Sequence, residues 1–347
     1  MKPLTRLFSP LKINSLELKN RIVMAPMGNG QANEDGSVSQ TLIDYYEARA
    51  RGGVGLIMLG STTVDRITPH KGLPQIWDDK FIPGLRNLTE AVHLHGAKIF
   101  PQLCHPGGMR TFGEDKAPES FSLQDIKRIV EQFGEAAGRA KQAGFDGVEI
   151  HAAHGWMVLG SFISPLHNKR IDKYGGSIID CTELLREVIQ YIRKIVGKDF
   201  PIDVRISADE MVPGGRTLRE TQYIAPWLVA SGVDALNVSG GLHGGGVIME
   251  GLGPMINFAR AIKETVNVPV MVVNNIRDPR FAENILERNE ADLIVMGRAL
   301  LADPDLPVKA AEGRFDDIAP CVGCGACRSR PGVPVCLVNP FLNRETE

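Results

Sequence analysis

Two histidines three residues apart, His151 and His154, stand in "HAAHGW", with Trp156 closing the stretch. No Glu or Asp follows them at ligand spacing, so a metal bound by this pair would lack its third ligand. Two adjacent imidazole N–H groups instead suit polarisation of a carbonyl oxygen or capture of an oxyanion, a term worth several kcal/mol in such sites. The plainer reading is a pair of loop histidines satisfied by backbone. A second constellation lies near the C-terminus, where "CVGCGACRSRPGVPVC" places Cys321, Cys324, Cys327 and Cys336 at C-x2-C-x2-C-x8-C spacing. Four thiolates on one short loop need a metal, and a structural zinc and a [4Fe-4S] cluster both accept such a set. Cys104 and Cys181 stand far from these four, so the clustering reads as metal binding in a reducing compartment rather than as a disulfide framework. A third group comprises Gln102, Arg205, Asn275, Gly297 and Arg298, long polar or small residues at the ends of apolar runs. Arg298 could grip a phosphate that Gly297 lets approach the backbone, and a flat, polar-edged cofactor such as flavin would use the whole set.

What must position these residues is a series of eight short apolar runs: 21–26, 55–60, 98–103, 147–152, 203–208, 235–240, 269–275 and 293–298. Between them lie segments such as 123–144 and 181–197, whose apolar residues recur at three and four. Runs this apolar suit strands buried on both faces, hence a parallel sheet. Eight βα units closing on themselves give an α/β TIM barrel; an open doubly wound sheet is the alternative. The barrel reading puts a ring of small or polar groups at the strand ends: Met27, Gly28, Gly60, Gln102, His151, Arg205, Ser239, Gly240, Asn275, Gly297 and Arg298. The division expected is a barrel over 1–300 and a small cysteine-rich, cluster-binding extension over 301–347.

Charge narrows the partners. Of 347 residues, 39 are Lys or Arg and 41 are Asp or Glu, with no long run of one sign, which argues against nucleic acid and membrane surfaces. The start, "MKPLTRLFSP", lacks the apolar stretch of a signal peptide, so a cytoplasmic location is expected.

The chain resembles the Old Yellow Enzyme family of FMN-dependent oxidoreductases through "RIVMAPMGNG", "YYEARARGGVGLIM", "GVEIHAAHG", "FISPLHNKRIDKYGGS", "VSGG" and "VMGRALLADPDL". Its tail, ending in "CLVNP", is similar to that of the iron-sulfur branch that includes 2,4-dienoyl-CoA reductase and trimethylamine dehydrogenase. The resemblance favours [4Fe-4S] over zinc. It implies FMN across the barrel mouth, with Pro26, Met27 and Gly28 beside the isoalloxazine and Gly60 beneath it. Gln102, His151 and Arg205 would meet the pyrimidine edge, and Gly241, Asn275, Gly297 and Arg298 the phosphate. His151 and His154 would hold a substrate carbonyl while hydride passes to an activated alkene. His243, in a glycine-rich loop, matches a histidine placed near substrate in the dienoyl-CoA branch.

Three departures follow. Trp156 occupies the place of a family tyrosine that delivers a proton, and an indole N–H is no general acid near neutral pH. His243 and water are the substitute donors expected. The last cysteine interval is compressed to eight residues. Relatives of the iron-sulfur branch often continue into flavin and nicotinamide domains, whereas this chain stops at "FLNRETE" without a strand–GxGxxG–helix unit. Electrons, ultimately from NAD(P)H, are therefore expected to reach it through a separate donor subunit or through domains of a longer native chain; a homo-oligomer is compatible. The function expected is reduction of a C=C bond conjugated to a carbonyl. The alternatives are an amine dehydrogenase or N-demethylase, with Trp156 against a cationic amine, and a non-catalytic electron-transfer subunit.

Overall fold

A computed structural model describes residues 3–66, 72–107, 116–242, 255–328 and 333–345. Ten strands occur among them: β1 (Leu11–Ile13), β2 (Leu16–Leu18), β3 (Ile22–Met24), β4 (Leu56–Thr63), β5 (Lys98–Cys104), β6 (Val148–Ala152), β7 (Ile202–Ser207), β8 (Ala235–Ser239), β9 (Val270–Val273) and β10 (Leu293–Met296). Strands β3 to β10 close into a parallel barrel in chain order, with β10 pairing back onto β3. Each of the eight apolar runs holds one of these strands, and the expected TIM barrel is the observed architecture.

The helices form for local reasons. Leu123–Gln142 starts at Ser122, whose hydroxyl accepts from the Asp125 N–H while the Asp125 carboxylate accepts from the Ser122 N–H. It buries Ile126, Ile129, Phe133, Ala136, Ala137 and Ala140, a stripe at three- and four-residue spacing that packs against the strands. It ends before Gly144, whose φ of +88° turns the chain toward β6. Glu183–Val196 follows a single 3-10 turn, Asp180–Thr182, and stops at Gly197 at φ +83°.

Two cores result. A large one fills the layer between helices and strands, and Leu306, Ala310 and Leu342 of the C-terminal segment join it. A smaller one fills the barrel itself, with Val23, Leu56, Met58, Phe100, Ala235, Met271, Leu293 and Val295 interdigitating. Its floor is the β1–β2 hairpin, which inserts Ile13 and Leu18, both fully buried, beneath the N-terminal ends of the strands. With that end sealed, the open end is the C-terminal one. No helix among the described residues is long and apolar enough to cross a membrane.

Candidate active site at the barrel mouth

Along a strand, residues two apart share a face, so the inward positions can be followed in layers. Above the apolar floor, β5 to β8 turn polar. Gln102 pairs in register with Glu149, Glu149 with Asp203, and His151 with Arg205, which in turn pairs with Asn237. Glu149 is completely buried and accepts from Gln102 Nε2 at 2.7 Å and from Asn237 Nδ2 at 2.5 Å. One layer nearer the mouth lies Arg205, also buried, whose Nη1 has no hydrogen-bond partner. Burial pulls its guanidinium below the usual arginine range, and the Glu149 and Asp203 carboxyls oppose that pull.

The histidine pair sits where β6 gives way to a turn. His154 at φ +66° and Gly155 at φ +63° reverse the chain before the short helix Met157–Phe162. A strand would send the two imidazoles to opposite faces, but this turn brings both to the mouth, edge to face with centroids 5.6 Å apart. A hydrogen bond assigns the tautomer of the first. His151 Nδ1 accepts from the Ala153 N–H at 3.2 Å, leaving Nε2 as its donor. Arg205 Nη2 donates to Ser239 Oγ at 3.5 Å, and the same hydroxyl lies 2.8 Å from His154 Nε2, with which it can exchange a hydrogen bond in either direction. Both rings are neutral: burial and then the Arg205 charge push His151 down to about 3 and His154 well below the ordinary histidine value. Trp156, half-buried, stacks edge-on against His154 at 6.4 Å, and its indole N–H is buried without an acceptor.

These groups line a cavity of about 390 Å³. Pro26, Met27, Gly28, Gln102, His151, His154, Trp156, Arg205, Asn275, Gly297 and Arg298, all singled out from sequence, are in its wall. Asn275 bends at φ +54° after β9 and accepts from Arg298 Nη2 at 3.1 Å, which draws the ends of β9 and β10 together. Gly60 lies behind the wall: a Cβ there would stand 2.4 Å from the Met27 carbonyl oxygen, so only glycine lets β4 pass the end of β3 so closely. Gly241 also lies outside the lining, in the loop after β8 at φ +82°, its N–H donating to the Asp209 carbonyl. His243 falls outside the described residues.

The tail reaches the same cavity. Cys327 and Pro334 contribute to its wall, and Arg277, another lining residue, donates from Nη1 to the Cys321 carbonyl at 2.6 Å. Gly323 and Gly325, at φ +73° and +76°, let the chain fold between the first three cysteines. Cys324 is exposed, and Cys321, Cys327 and Cys336 are half-buried. Among the described residues no three His, Cys, Asp or Glu side chains stand together as a metal shell. The thiols are thus of the right kind for a metal but are not gathered around a centre.

Sequence reading missed Ser61, Met211, Met255 and Arg277 in the wall, and Glu149, Asp203 and Asn237 beneath it. Two of the last three carried a signal. Glu149 and Asp203 are charged residues inside apolar strands, each two positions before a residue already singled out, His151 and Arg205.

Comparisons with known proteins follow this geometry. The chain is 43% identical to an NADH oxidase of Thermoanaerobacter brockii over 98% of its own length and 56% of that protein's. It is 35% identical to a cinnamate reductase of Clostridium sporogenes, over 98% of this chain and 58% of the relative. A solved structure of histamine dehydrogenase from Rhizobium sp. 4-9 superposes with a TM-score of 0.88 at 30% identity, over 99% of this chain and 53% of that one. The chain therefore spans little more than half the length of the curated relatives it matches. A sequence model described as the NADH:flavin oxidoreductase / NADH oxidase family matches residues 6–317, every barrel strand included, and to that family, the Old Yellow Enzymes, the chain belongs.

Proposed function

We propose that the barrel mouth binds FMN and reduces a C=C bond conjugated to a carbonyl. The observation that carries this reading is the wall of the cavity: two neutral imidazoles, His151 with Nε2 as its N–H donor, three arginines (Arg205, Arg277 and Arg298) and no carboxylate among the described lining residues. An oxygen that gains negative charge is favoured there, and a cationic amine is opposed. That weighs against amine dehydrogenation, despite the likeness to histamine dehydrogenase, and agrees with the likeness to a cinnamate reductase.

The residues fit a flavin. The unpartnered Arg205 Nη1 is a buried donor in search of an acceptor, and Gln102 turns its amide nitrogen to Glu149, leaving Oε1 beside Ser61 as an acceptor at the cavity wall. A donor and an acceptor side by side suit the carbonyl and imide N–H of a pyrimidine edge. Asn275, Gly297 and Arg298 would take the phosphate. FMN, when bound, supplies the hydride. The chain's own part is to hold the substrate carbonyl between His151 Nε2–H and the His154 ring, which draws electron density from the alkene, and to keep the carbonyl beside the Arg205 charge. The proton for the second carbon must come from elsewhere than Trp156; His243 and water remain the proposed sources.

Anaerobic mixing of the chemically reduced, FMN-loaded protein with enones, enoates and methylated amines tests the reading. Reoxidation of the flavin by an enone or enoate is expected; reduction of the oxidised protein by an amine would sink it. Trp156→Tyr places a phenol where the indole stands and is expected to speed alkene reduction at least about tenfold where proton delivery limits the rate. A rate unchanged or lowered would show that the proton takes another route.

Cys321, Cys324, Cys327 and Cys336 are proposed to ligate a [4Fe-4S] cluster, with Cys327 already at the cavity wall. Iron and acid-labile sulfide at about four each per chain are expected; one zinc and no iron would overturn the assignment. The domain division, at about residue 300, is proposed on the same grounds. Electrons are proposed to come from NAD(P)H through a donor subunit or a further domain, the relatives being longer than this chain.

A further inference from the structure

The carboxyls of Glu149 and Asp203 lie side by side in register on β6 and β7, both fully buried, and the reaction proposed above uses neither. Their surroundings differ. Both oxygens of Glu149 are taken, Oε1 by the Gln102 amide and Oε2 by the Asn237 amide. Neither oxygen of Asp203 receives a donor, although both are sealed from solvent. An ionised carboxylate in that position would have only the neighbouring Val204 N–H and the Arg205 charge to set against its burial, whereas a neutral one can donate its O–H to Glu149. The charged and titratable groups around the pair are Arg205 on the strand that carries Asp203, and the neutral His151 and His154 above Glu149. Below and to the sides are Phe100, Met58, Ala235 and Met271, which offer no polar contact.

We propose that Glu149 and Asp203 hold one proton between them, carried by Asp203, and that the charged Glu149 is a positioning residue that turns the Gln102 carbonyl toward the flavin. Burial first, and then the neighbouring Glu149, hold the Asp203 carboxyl well above the usual carboxylate range, with Arg205 opposing. The amide of Gln102 has two faces, and Glu149 decides between them: an acceptor at the bottom binds its nitrogen, so its oxygen points up. Glu149 and Arg205 also cancel in charge, which lets a guanidinium stand in the barrel without a free carboxylate at the mouth.

This inference rests on the flavin reading only for its second half, and two measurements separate the halves. Infrared spectra of the chain with carbon-13 in its aspartates are expected to show a protonated carboxyl band at neutral pH that Asp203→Asn removes, whether or not flavin is bound. A spectrum with Asp203 ionised, or with the proton on Glu149 in glutamate-labelled protein, overturns the proton assignment. For the positioning role, Asp203→Asn replaces one neutral donor by another and is expected to leave the Kd for FMN within about twofold. Glu149→Gln leaves one acceptor oxygen for two amide donors and is expected to weaken FMN binding at least about tenfold. Equal effects of the two substitutions, or the reverse order, overturn it. If E149Q does not fold, Gln102→Met, which keeps the shape and removes the acceptor, is expected to weaken FMN binding to the same extent, and an unchanged Kd overturns the role. A wild-type chain that binds no FMN while the Asp203 band is present would defeat the flavin reading and leave the proton assignment standing.

Discussion

Arg205→Met is expected to strip the barrel mouth of flavin and to lower the stability of the chain by about 1–3 kcal/mol, because it removes the buried positive charge that acts on the Glu149 carboxylate one layer below. Arg205 sits one layer nearer the mouth than Glu149 and Asp203, and all three are buried. Without the guanidinium, the Glu149 carboxylate keeps its two amide donors but loses the opposite charge that offsets its burial. Ser239, which shares a hydrogen bond with His154, would also lose its Arg205 donor. Denaturant midpoints and the flavin retained after gel filtration report the two effects separately. A loss below about 1 kcal/mol would mean that the barrel interior carries no net charge needing compensation. Arg205→Lys keeps a charge but not the two-pronged fork, so it is expected to rescue stability better than flavin binding.

The second large effect belongs to the histidines. His151→Ala or His154→Ala is expected to slow alkene reduction by about 10²–10³ each, the usual loss when one preorganised donor to a developing oxyanion is removed. The effect should fall on kcat more than on flavin content, because the pair faces substrate. Their buried, neutral state adds a pH signature. His151 titrates at about 3 in the folded chain and near 6.5 when unfolded, so between those values the unfolded chain binds more protons. Stability therefore falls as pH drops from about 6.5 toward about 3, and His151→Phe should flatten that limb of the curve. If the acid limb is unchanged in the variant, the ring is not buried as a neutral base.

Much of the barrel was legible because its strands are bounded apolar runs and its helices carry a clear three- and four-residue stripe. Ser122 and Gly144 punctuate one of those helices so plainly that its span could be read to within two residues. The β1–β2 hairpin was not legible. Each of its strands has three residues and sends one fully buried side chain inward, too short a pattern to show alternation, and its role as a floor depends on where the barrel above it closes. At the site, the strand ends named the mouth, since polar residues stop an otherwise buried strand there. Whether His151 and His154 share a face was decided by the left-handed pair His154 and Gly155, and only the glycine announced it. Glu149 and Asp203 were passed over because each sits inside a run whose apolar neighbours set its reading as strand core.

The described C-terminal residues pack back onto the first βα unit in a way that bears on synthesis of the barrel. Arg49, with no exposed surface, lies in the helix Gln40–Arg51 after β3, and its guanidinium pairs with Glu345, 296 residues further on. Its other contacts are the Tyr45 carbonyl, the Tyr45 ring and the Leu300 carbonyl, and nearby the Gln31 amide reaches Asn343. As the chain emerges from the ribosome in order, its first βα unit must carry a cation destined for burial until almost the last described residue appears. Translation that halts before Glu345 would leave that cation without its carboxylate even though β10 has already paired with β3, so truncated products should carry a closed barrel with an uncompensated buried charge in its first helix.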